Sequence, residues 1–80
     1  MEIAVKRMRE LRLGRRWSQR AIAERMDVSS QVYRNLEEGK LELGIQDIVK
    51  IAKIFDVTSD YLLGRVNNPR VYWSLKKSPP

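Results

Sequence analysis

Cysteine and histidine are both missing from the 80 residues of this chain. Their absence rules out disulfides, thiolate and imidazole metal sites and histidine-based acid–base chemistry, and the lack of cysteine is compatible with a reducing compartment. Apolar runs of membrane-spanning length are missing too, and the opening MEIAVKRMRE lacks the long apolar segment of a signal peptide. The expectation is a cytoplasmic chain, whole from Met1, with no membrane partner. Neither a glycine-rich phosphate loop nor a recognisable carboxylate pair occurs, and Ser18 and Ser29 have no histidine to activate them. No catalytic residue, cofactor, metal or small-molecule substrate is therefore expected.

Positive charge is in excess. Sixteen Lys and Arg stand against ten Asp and Glu, a net charge of +6. Residues 1–40 hold ten of the basic and six of the acidic residues, and 41–80 hold six and four. Such a surface suits phosphate, although a solvated basic surface kept for solubility has the same composition. The length fits one small domain with little apolar core to spare.

Residues 17–40 carry the most informative local pattern. Ser18 and Ser29 each precede a run with helical apolar spacing, where a hydroxyl oxygen can accept from the unpaired N–H groups of a first turn. An apolar residue stands before each cap and another five positions later, Trp17 with Ile22 and Val28 with Tyr33, the spacing of a hydrophobic staple. This predicts helices over 19–26 and 30–38 joined through Met26, Asp27 and Val28, with Gly39 as the stop after the second. The first buries Ile22, Ala23 and Met26. The second has only Tyr33 and Leu36 to bury, and its Ser30, Gln31, Arg34 and Asn35 leave it a wet or ligand-facing side.

Around this pair, a helix over 3–13 is predicted from Ala4, Met8 and Leu11, ending near Gly14. From residue 45, Ile45, Ile48, Val49, Ala52 and Phe55 follow the helical repeat and Ile51 and Ile54 widen the stripe, which predicts the central core helix. A short helix over 59–63 follows a Thr58 cap and ends at Gly64. The fold expected is all-α, five helices in a domain over 1–64. Residues 65–80 form an extension: Val71, Trp73 and Leu75 alternate onto one side of a β-prone stretch and mark a candidate dimerisation strand, the alternative being that Trp73 folds back onto its own bundle, and 76–80 are a frayed polar end.

From about Arg7 to Gly64 the chain resembles the helix-turn-helix family of the lambda-type phage repressors and Cro proteins, XRE-like small regulators of phage and bacteria. The resemblance rests on Leu11-Arg12, Ser18-Gln19, Ile22-Ala23, Val28-Ser29, Leu36-Glu37, Gly39-Lys40 and Ile51-Ala52-Lys53 ahead of Val57. It implies a compact five-helix bundle, in agreement with the elements above. It also implies that Gln19 bonds a DNA phosphate, that Ser30, Gln31 and Asn35 lie on the base-reading face, and that Arg12 and Glu37 form an ion pair. An amide side chain can pair bidentately with adenine, which makes Gln31 and Asn35 sensible readers. Arg34 suits guanine or phosphate, Val32 a thymine methyl or the core, and Ser30 a base or solvent. Arg15, Arg16, Arg20 and Lys40 are the basic phosphate candidates. The chain departs from the family at Arg16, Asp27 and Asp56, which stand where glycines are usual, and at Tyr33, which replaces an aliphatic residue and must find its hydroxyl a partner or point it outward.

The function expected is a sequence-specific DNA-binding transcriptional regulator, a repressor that binds a partly palindromic operator as a homodimer with its reading helix in the major groove of double-stranded DNA. The alternative is a protein-interaction module or antitoxin whose main partner is another protein.

Overall fold

Hydroxyl side chains start three of the five helices, as the sequence pattern requires. In the computed structural model, which describes residues 2–69, Ser18 Oγ accepts from Ala21 N at 3.0 Å and Ser29 Oγ from Val32 N at 3.1 Å. Thr58 Oγ1 accepts from Tyr61 N at 3.0 Å. The helices are α1 (Glu2–Gly14), α2 (Gln19–Met26), α3 (Ser30–Glu37), α4 (Ile45–Phe55) and α5 (Ser59–Leu62). The described residues contain no strand. Only helix ends differ from the sequence expectation, by a residue or so. No helix among them is long and apolar enough to cross a membrane.

Three helices end on residues other than glycine in the left-handed conformation: Arg16 (φ 60°) after α1, Asp27 (φ 61°) after α2 and Asp56 (φ 55°) after α4. These are the three positions at which the resemblance leads one to expect glycine. The turns are kept, and the left-handed backbone, costly for a residue with a Cβ, is held by surrounding bonds. Trp17 N donates back to Arg12 O at 3.2 Å and Val28 N to Ala23 O at 3.0 Å. Gly14, expected near the stop of α1, is its last residue, and Arg16 makes the turn.

The core is built from Ala4 and Met8 of α1, Ile22, Ala23 and Met26 of α2, Tyr33 and Leu36 of α3, Ile48, Ile51 and Phe55 of α4, Leu62 of α5, and Leu43. Leu11 is only partly buried. One expectation for α4 is corrected. Ile45 and Val49 are exposed, at 71% and 43%. At 3.6 residues per turn, Ile48, Ile51 and Phe55 share one stripe, and Ile45 and Val49 lie roughly a quarter-turn or more outside it.

Helices α2 and α3 pack on each other, with α1 against α3 and α4 against α2 and α5. Beyond α5 the chain is tied back. The Arg7 guanidinium stacks 4.2 Å over the Tyr61 ring and donates to the Tyr61 carbonyl, to Val66 O at 2.7 Å and to Asn67 Oδ1 at 3.2 Å. Thr58 N donates to Pro69 O at 3.0 Å. Residues 65–69 of the extension thus pack on the bundle. Val71, Trp73 and Leu75, expected to dimerise, and the polar end 76–80 lie outside the described residues.

Candidate nucleic-acid interface

A helix with two core residues in eight presents most of its surface elsewhere. In α3 only Tyr33 and Leu36 are buried. Gln31 and Arg34 are exposed, and Ser30 and Asn35 half-buried. Gln31 Nε2 donates to Asn35 Oδ1 at 3.1 Å, so the two amides stand one turn apart on a common face. That bond leaves the Gln31 carbonyl oxygen and the Asn35 amino group outside it, an acceptor and a donor of the kind a base edge needs. Val32 packs against the core. Ser29 is the cap of α3, as its position suggested.

The orientation of α3 is set at its far end by one carboxylate. Glu37 takes Arg12 as a fork, Nε to Oε2 and Nη2 to Oε1, both at 2.9 Å. The same carboxylate accepts from Gln19 Nε2 at 3.0 Å and from the Tyr33 hydroxyl. Arg12 Nη1 also donates to Trp17 O at 2.9 Å. The expected Arg12–Glu37 ion pair is therefore present, with side chains only 10% and 6% exposed. It joins α1, the start of α2 and the end of α3.

Burial alone would push the Glu37 carboxyl up, but the bonds from Arg12, Tyr33 and Gln19 outweigh it and hold the group below the usual carboxylate range. Burial, then the bond to Glu37, push the Tyr33 phenol well above its ordinary value. Glu37 raises the Arg12 guanidinium further. The network is thus charged on Glu37 and Arg12 and neutral on Tyr33 across the ordinary pH range.

The phosphate candidates are spread around the start of α2 and the end of α3. Gln19 is half-buried with one amide proton engaged by Glu37, so its side chain is fixed. Arg20 is exposed and 3.9 Å from Glu24. Lys40 pairs with Glu38 at 3.2 Å. Arg16 is exposed in its left-handed turn, and Arg15 lies over the rings of Trp17 and Phe55, at 5.3 and 5.4 Å. Sequence reasoning missed the partner of the Tyr33 hydroxyl and the participation of Arg25. Tyr33 joins the Glu37 network through its hydroxyl, and Arg25 stacks 4.0 Å over Trp17. Helical side chains lean towards the N-terminus, which is the signal that could have linked Arg25 back to Trp17. No cluster of metal-ligating residues occurs among the described residues.

A family described as helix-turn-helix matches residues 8–62. The HTH-type transcriptional regulator AnsR of Bacillus subtilis (strain 168) is 32% identical over 59 residues, which cover 74% of this chain and 51% of that protein. The uncharacterized HTH-type transcriptional regulator YobD of the same organism is 27% identical over 63 residues, covering 79% of this chain and 56% of that protein. The chain thus spans about half the length of the curated relatives it matches. No solved structure matches it. The matched residues contain α2 and α3 entire and the Arg12–Glu37 pair that fixes them. By this match the chain belongs to the helix-turn-helix family of lambda-repressor type.

Proposed function

We propose that the chain is a sequence-specific DNA-binding transcriptional regulator, in the role of a repressor, that acts as a homodimer on a partly palindromic operator with α3 in the major groove. The observation that carries this reading is the α3 face on which Gln31 and Asn35 stand amide to amide beside Ser30 and Arg34. Family membership and relatives that are named transcriptional regulators support it. In this reading Ser30, Gln31, Arg34 and Asn35 meet base edges, and Gln19, Arg15, Arg16, Arg20 and Lys40 meet phosphates. Regulation follows from occupancy, without catalysis. Val71, Trp73 and Leu75 pair two copies and set two α3 helices about 34–36 Å apart, one turn of DNA.

Selection of bound sites from random duplexes tests this. The expected result is enrichment of one motif in two inverted halves separated by about a helical turn. Recovery of unenriched sequence would reject it. The second reading, a protein-interaction module or antitoxin, is favoured by Ile45 and Val49, exposed one turn apart on α4. Salt-dependent retention on DNA separates the two, because only the first requires it.

A further inference from the structure

Trp17 is half-buried between α1 and α2, with its ring centroid 5.3 Å from that of Phe55 and the planes tilted by 35°. The indole is thereby anchored to α4 and the core. Two guanidinium groups converge on it. Arg25 lies 4.0 Å over the Trp17 ring and Arg15 lies 5.3 Å from the same centroid. Both residues are exposed, Arg15 in the turn after α1 and Arg25 on α2. Arg25 is steadied further by Nη1 donating to Ala21 O at 3.1 Å.

We infer that Arg25 and Arg15 bind the DNA sugar-phosphate backbone as a pair, with Trp17 as the platform that holds both guanidiniums in place. The inference rests on the DNA-binding reading and adds to it a residue, Arg25, and a positioning role for Trp17. A guanidinium held over an aromatic ring keeps in-plane N–H groups for the bonds that phosphate accepts, and in Arg25 the Nη2 group lies outside the bond to Ala21 O. A held side chain also loses less freedom on binding than a free one. The two cations sit closer together than the Debye length of about 10 Å at 0.1 M salt, so their repulsion is only partly screened, and a phosphate anion relieves it.

The test uses the full chain and two duplexes, one selected and one of random sequence, titrated over a series of salt concentrations. Arg25→Gln and Arg15→Gln should each weaken both duplexes by the same factor and lower the log–log salt slope by about 1. Arg25→Lys, which keeps the charge, should restore the slope. Trp17→Leu keeps an apolar residue before the Ser18 cap but removes the platform, and in that background the Arg25→Gln effect on affinity should shrink. A purely structural role for the arginines would change thermal stability and leave the slope alone. An Arg25→Gln slope equal to wild type overturns the inference, as does an Arg25 effect undiminished by Trp17→Leu. If the wild-type chain itself shows no salt-dependent retention on duplex DNA, the DNA-binding reading fails and this inference fails with it.

Discussion

At Glu37 one buried carboxylate gathers donors from Arg12, Gln19 and Tyr33, and the cost of losing it is set by what would be stranded. With both side chains about nine-tenths buried, Arg12 has little water to turn to. Removing one partner of such a pair costs about 3–5 kcal/mol, whereas an exposed pair contributes roughly 0–1 kcal/mol. Denaturant unfolding of Glu37→Gln should show the larger loss, and an immeasurable change would mean that the pair contributes nothing. The pH dependence follows from the same contacts. The Glu37 carboxyl is depressed in the folded state, so its stabilisation is fully present above the unfolded-state value of about 4.3. That stabilisation is lost as the pH falls through the lower folded-state value. In Glu37→Gln this part of the acid-induced loss should vanish. The ion pair was legible only through the family resemblance, since Arg12 and Glu37 are 25 residues apart. The sequence raised the question of a partner for the Tyr33 hydroxyl, and the four-residue spacing to Glu37 on α3 supplies it, whereas only helix packing brings Arg12 to the same carboxylate.

Among the elements, α2 and α3 were the most legible, because their boundaries are written in Ser18, Ser29, Asp27 and Gly39. Each of these is a local signal that tertiary contacts do not alter. The apolar stripe of α4 was less so. Seven apolar residues in eleven cover much of its circumference, so the period marks a helix but not which side faces inward. Ile45 and Val49 consequently read as core and are exposed. The polar face of α3 was legible as a face, while the Gln31–Asn35 bond became visible only with the side chains placed. If this face reads bases, Gln31→Ala should lose about 1–3 kcal/mol on the preferred site and little on random DNA. Parallel binding curves on the two duplexes measure this, and equal losses on both would mean that Gln31 is not a base reader.

For the whole molecule, the outstanding element is the extension. Its first five residues are tied to the bundle through Arg7 and Thr58, and the strand proposed over 71–75 follows directly. A lone strand can neither satisfy its backbone nor bury Val71, Trp73 and Leu75 on one side, whereas pairing with a second copy does both. Truncation after Pro69, which retains the bond to Thr58, should therefore yield a monomer in sedimentation and weaken operator binding. A truncated chain that stays dimeric and binds as before would exclude the tail and favour the exposed surfaces of α4 and α5. The central claim is that this small basic domain distinguishes one DNA sequence from others. It is tested most directly by titrating the full chain with a selected duplex and a scrambled duplex of equal length at several salt concentrations. The account predicts binding to the selected duplex tighter by a factor of at least about 10³, with both affinities falling as salt rises. Equal affinity for the two duplexes at every salt concentration would contradict it.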